Sequence, residues 1–219
     1  MSLSARVNEA LGTVFDPELD EPITALGFVG ACVVSEAGDV HVRLRLPTPQ
    51  CAPNFAFLMA ADARAAVLAL PEARDVTIVL EDHYTGEEIN AAVGRGDRFG
   101  GAFPGETEGD LDALRELFRR KALVAREGRL LANVDDPAAA TLGQLRGPDA
   151  DRCRALRREL GMDAGDDAPA FVKGDGTPIG AGEVARFRRL AGLTAVSLET
   201  NGGMCRDLLK TRYGQEVAA

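Results

Sequence analysis

The chain has 219 residues, 46% hydrophobic and 27% charged, enough for one large or two small globular domains. Its net charge of −9 argues against a nucleic-acid binder, which needs a basic surface. No apolar run approaches the ~20 residues of a membrane helix, and the Met-Ser-Leu-Ser-Ala-Arg start lacks the basic-then-apolar pattern of a secretory signal, so a cytoplasmic protein with no membrane partner is expected.

The charge divides unevenly. Residues 1–93 hold 5 basic and 14 acidic side chains, whereas residues 94–219 hold 20 of each. This predicts two modules, an α+β domain over residues 1–93 and a mostly helical module with short strands over 110–219. Between them, residues 94–109 contain six glycines and Pro104, the composition of a linker.

A first helix is predicted from about Ser4 to Thr13, with Val7, Ala10, Leu11 and Val14 at helical spacing and Pro17 as its stop. Phe28–Ser35 and Val40–Leu46 read as strands joined by the Glu36-Ala37-Gly38-Asp39 turn. In the second of them Val40, Val42, Leu44 and Leu46 alternate with His41, Arg43 and Arg45, so one face is buried. A helix from about Asn54 to Leu70 and a strand over Asp75–Leu80 complete a helix–hairpin–helix–strand domain with its helices on one sheet face. Farther on, helices are expected over Leu111–Leu123, Ala150–Leu160 and Glu183–Leu190. A hairpin is expected about Gly174-Asp175-Gly176, a short strand over Thr194–Leu198, and a last helix over Met204–Tyr213 after Asn201-Gly202-Gly203.

Four cysteines, none in a CxxC pair, argue against a local zinc knuckle or a thioredoxin-type site. Cys153 shares helical spacing with Leu156 and Leu160, and Cys32 lies within a strand, so both read as core residues. His41 reads as solvated and His83 as a surface-loop residue. Cys51 differs from them. It lies in Pro47-Thr48-Pro49-Gln50-Cys51-Ala52-Pro53, a stiff loop in front of a helix whose first position is a proline. A sulfur there faces the positive end of the helix dipole, which favours the thiolate that binds metals or attacks electrophiles. Cys205, just after Gly202-Gly203, has two readings: packing with Leu208 and Leu209, or a metal ligand that shares a site with Cys51.

The ordered set Asp16-Pro17-Glu18-Leu19, Pro22-Ile23, Leu26-Gly27, the hairpin and the Thr48-to-Pro53 loop resembles the SufT/PaaD-like family of iron–sulfur cluster assembly proteins, over about residues 4–82. One departure is Ala52, which separates Cys51 from Pro53. The resemblance implies transient binding of iron or an iron–sulfur cluster at Cys51, with Thr48, Asp16 and Glu18 around it. It also implies a client apo-protein or other assembly proteins as partners, and a bacterial setting beside metal-dependent monooxygenases. One cysteine cannot hold a cluster that takes four thiolates. The other ligands must come from a client, a small thiol, another residue such as Cys205, or a second subunit, which admits a homodimer. Three functions stay open: a cluster carrier or maturation factor, which is not an enzyme; a metal-free adaptor for a client enzyme; and a thiol enzyme with Cys51 as nucleophile and His83 or Asp16 as base.

Overall fold

In the computed structural model, which describes residues 1–105 and 111–214, helix α1 (Leu3–Leu11) opens the chain. The Ser2 hydroxyl caps it by accepting the Ala5 N–H, which moves its start ahead of the expected Ser4. Two-residue strands β1 (Phe15–Asp16) and β2 (Glu21–Pro22) then pair antiparallel across a tight turn in which Asp20 has a φ of 51°. Their brevity leaves no periodicity to read in advance.

Strands β3 (Val29–Val34) and β4 (Asp39–Arg45) form the expected hairpin, with Cys32 opposite Val42 and Val33 opposite His41. Gly38 turns the corner at a φ of +88°, where an added Cβ would lie 2.5 Å from the Glu72 carbonyl oxygen, so only glycine fits. Helix α2 (Pro53–Leu68) crosses over to β5 (Asp75–Glu81), which runs parallel to β4 with Val42 opposite Ile78. Val40, Val42 and Leu44 on β4 and Val76, Ile78 and Leu80 on β5 are buried, and His41 and Arg43 face solvent. The fold is mixed α and β, as expected, with the sheet order β3-β4-β5.

Helices α3 (Gly86–Arg95) and α4 (Phe99–Ala102) occupy part of the expected linker. Ile89, Ala92 and Val93 give α3 a buried face, and Phe99 packs edge-on against Phe57 at 5.5 Å. Apolar anchoring thus overrides the glycine content of residues 94–102. Residues 106–109 of that segment lie outside the described residues.

The chain divides into two units, one made of Met1–Asp112 with the residues from Gly202 onward, the other of Ala113–Asn201. The last helical turns, from Gly202 to Tyr213, fall within the segment 110–219 expected as an accessory module and group with the first unit. The second unit contains helix α5 (Asp112–Leu130) from Ala113 on, helix α6 (Pro148–Glu159), and helix α7 (Val184–Tyr213) up to Asn201. Its core joins Leu131, Leu142, Phe171, Ile179, Phe187 and Ala191. The glycine turn lies where expected, with the Lys173 N–H donating to the Thr177 carbonyl at 2.8 Å. Arg157, 1% exposed, pairs with the fully buried Glu127 at 2.7 Å and also donates to the Pro169 and Ala170 carbonyls.

The strand expected over Thr194–Leu198 is instead helical, part of the 30 residues of α7. Ala195 and Leu198, three residues apart, pack with Ala125 of α5, and this helical burial outweighs local β propensity. Nor do Gly202 and Gly203 break the helix. Cys205 is therefore deep in a continuous helix, and the helix start expected before it does not exist.

Candidate functional site

The loop between β4 and α2 is built by its own hydrogen bonds. Thr48 Oγ1 lies 3.5 Å from Cys51 Sγ and accepts the Gln50 N–H at 3.3 Å. The Thr48 carbonyl accepts the Cys51 N–H at 3.5 Å, and the Pro49 carbonyl accepts the Tyr84 N–H at 3.2 Å. Cys51 is half-buried, two residues ahead of Pro53; the N-cap Ala52 makes no side-chain cap, and Asn54 Oδ1 accepts the Phe55 N–H of the first turn at 2.9 Å. The thiol is thus held at the positive end of α2 by a threonine hydroxyl and a closed turn.

His83, expected on the surface, is half-buried beside this loop. Its Nε2 is 2.8 Å from the Cys51 carbonyl oxygen, and its Nδ1 faces the Thr85 N–H at 3.3 Å and the Thr85 hydroxyl at 3.1 Å. Because Nδ1 accepts from an amide, the proton of the neutral ring sits on Nε2 and is donated to Cys51. Burial pulls the His83 pKa down, and the nearby Arg212 charge adds to this. Both ring nitrogens are engaged with groups other than the Cys51 sulfur, an arrangement that does not suit a base for thiol chemistry.

The acidic turn is the second part of the site. Asp16 is 8% exposed, and its Oδ1 accepts the Glu18 and Leu19 N–H groups at 2.8 and 2.9 Å. Burial nevertheless raises its carboxyl to about 6, against the pull of those two amides. Asp16 therefore shapes the turn with one oxygen. Glu18, half-buried, is the more open carboxylate.

The third part is the end of α7, where sequence spacing singles out Cys205 but not its neighbours Arg206, Arg212 and Tyr213. Arg206 pairs with Glu21 at 2.6 Å. Leu209 is fully buried. Arg212 donates to the Leu46 carbonyl at 3.2 Å and to the Asp82 carbonyl at 2.7 Å, and Tyr213 donates to the Asp82 carboxylate at 3.1 Å. The Arg45 guanidinium lies 4.9 Å over the Tyr213 ring. Cys205, half-buried on this segment, has its thiol pushed up to about 11, first by burial and then by the charges of Asp16, Cys51 and Glu18.

The residues singled out in the sequence thus separate. Thr48, Cys51, Asp16, Glu18 and Cys205 all belong to the first unit. Cys153 is fully buried in the second, as expected of a core residue. Cys32, expected in the core, is only half-buried, because β3 is a sheet edge. Among the described residues, no three His, Cys, Asp or Glu side chains are grouped closely enough to hold a metal ion, and no helix is long and apolar enough to cross a membrane.

Comparison with known proteins centres on the first unit. Residues 4–80 match the family model described as iron–sulfur cluster assembly protein. Proteins from Mycobacterium bovis and Mycobacterium tuberculosis, each named iron–sulfur cluster carrier protein, are 45% identical over 49 residues. That match covers 22% of this chain and 13% of each relative, so the chain spans only a small part of their length. No solved structure matches the chain.

Proposed function

We propose that this chain, whose residues 4–80 belong to the iron–sulfur cluster assembly protein family, carries iron or an iron–sulfur cluster on Cys51 and delivers it to client apo-proteins. The observation that carries this reading is the held sulfur of Cys51, 3.5 Å from Thr48 Oγ1 at the positive end of α2, in a site with no complete metal cage among the described residues. A cluster normally takes four thiolates. A site that offers fewer leaves positions for an incoming protein, which suits cargo that must be passed on.

Each residue then has a task. The Cys51 thiolate ligates the cargo. Thr48 and His83 hold its loop from the hydroxyl side and from the carbonyl side. Asp16 spends one oxygen on the Glu18 and Leu19 amides and so presents Glu18 toward an incoming iron as an exchangeable oxygen ligand. The finer reading is a SufT/PaaD-like maturation factor in a bacterial cytoplasm, with a metal-dependent oxygenase as client. The engaged nitrogens of His83 favour this over a thiol enzyme.

Anaerobic reconstitution with iron and sulfide tests it. The wild-type chain takes up both and develops charge-transfer absorption, whereas Cys51→Ser stays at background. Equal iron and sulfide in the two proteins would refute the proposal.

A further inference from the structure

We infer that Cys205 is the second protein thiol of this site, so that a single chain offers a two-sulfur clamp, Cys51 and Cys205, to a soft cation or an iron–sulfur cluster. The inference rests on the carrier reading and extends it to a residue far outside the matched segment 4–80.

The geometry follows from one face of α7. Gly202, Cys205, Leu209 and Arg212 recur at intervals of three and four residues, so they lie along one side of the helix. Both ends of this row have fixed positions. At Gly202 an added Cβ would sit 2.5 Å from Glu21 Oε1, and the adjacent Arg206 pairs with the same carboxylate at 2.6 Å. Glu21 ends the turn that begins at Asp16, since the two are directly paired across β1 and β2. At the other end, Leu209 is fully buried and Arg212 holds the carbonyls of Leu46 and Asp82. Leu46 leads directly into the Thr48–Cys51 loop. Asp82 precedes His83, which is bonded to Cys51.

With a rise of ~1.5 Å per residue, Cys205 stands ~4.5 Å along the axis from Gly202 and ~6 Å from Leu209. It therefore lies between the acidic turn and the Cys51 loop, on the face that touches both. The electrostatic coupling of its thiol to Asp16, Cys51 and Glu18 agrees with this position. Neighbours explain why a thiol suits this place better than a carboxylate would. An acid near Asp16 and Glu18 would add like charge, whereas a thiol stays neutral until a metal displaces its proton. Two of four cluster ligands would then come from this chain, and two remain for a client or a second copy.

Phenylarsine oxide provides a probe independent of cluster loading. Its arsenic binds two neighbouring thiols, and the arsenic oxygen leaves as water with both thiol protons. In the full-length reduced chain we expect one arsenic per chain, bound through two sulfurs and stable to a monothiol wash. Cys51→Ser and Cys205→Ser should each lose that stable adduct, Cys205→Ala should behave like Cys205→Ser, and Cys32→Ser should keep it. Native circular dichroism of each variant excludes unfolding as the cause. A wash-stable adduct that survives in Cys205→Ser, or none in the wild type, would overturn the pairing.

The two proposals fail separately. After reconstitution, cluster loss to excess chelator should be at least tenfold faster from Cys205→Ser than from wild type. An unchanged rate removes Cys205 from the site and leaves the Cys51 reading intact. Normal loading of Cys51→Ser ends the carrier reading, and the arsenical result then still decides whether the two sulfurs are neighbours.

Discussion

Replacing Asp16 with asparagine measures the free energy of holding a carboxylate in the acidic turn. The asparagine amide oxygen can accept the same Glu18 and Leu19 N–H groups that Oδ1 accepts now at 2.8 and 2.9 Å, so the turn survives while the charge is removed. The folded metal-free chain holds the Asp16 proton up to about 6, compared with 3.8 for an unburied carboxyl. Between those values the folded state binds more protons than the unfolded state, so stability falls as pH rises through this window and levels off above it. At about 1.4 kcal/mol per pH unit the difference amounts to about 3 kcal/mol, an upper figure because the fold relaxes around a buried charge. Asp16→Asn should therefore match wild type near pH 3.8 and exceed it by up to about 3 kcal/mol at pH 8. The assay is urea unfolding read by tyrosine fluorescence. The chain has no Trp and two Tyr, and both Tyr84 and Tyr213 belong to the first unit, so the signal reports on the unit that contains Asp16. An asparagine variant weaker than wild type at pH 8, or a difference that does not vary with pH, would refute the reasoning. If the gain is found, the carboxylate is kept at a cost in stability, as functional groups often are.

Two further outcomes follow from buried partners. Arg157→Ala strands the fully buried Glu127 without its counter-charge and removes a donor from the Pro169 and Ala170 carbonyls. It should destabilise the second unit by about 3–5 kcal/mol in far-UV circular dichroism melts, and a loss below ~1 kcal/mol would contradict the pair's role. His83→Ala removes the hydrogen bond to the Cys51 carbonyl, worth about 1 kcal/mol. Amide exchange in peptides spanning residues 47–55 should speed up about fivefold, and unchanged exchange would show that the loop does not depend on His83.

The parts of the fold that could be read in advance are those whose signal is local. The alternation of Val40, Val42 and Leu44 with His41 and Arg43 defines β4, and Pro53 marks the start of α2. Cys51 stands out in the sequence because three prolines surround it and no apolar period includes it. What could not be read depends on distant neighbours. Gly202 reads as a helix breaker, yet Glu21 occupies the space a side chain would need and the helix runs through. Thr194 to Leu198 has β-forming residues, but the partners that bury Ala195 and Leu198 are helical. His83 reaches Cys51 across 32 positions of sequence, a contact that spacing cannot reveal. In the sequence Asp16 reads as an acidic ligand, while its bonds to two amides also make it the brace of its own turn.

The ion pair of Arg206 with Glu21 joins positions 185 apart in the chain, and this separation bears on how the protein matures. On the ribosome, the stretch matching the assembly family emerges early, with Cys51 in it. The helical turn that carries Cys205 follows only after the Ala113–Asn201 unit has been synthesised. A nascent chain would thus present the Cys51 sulfur before the helical turn that carries Cys205 has been made.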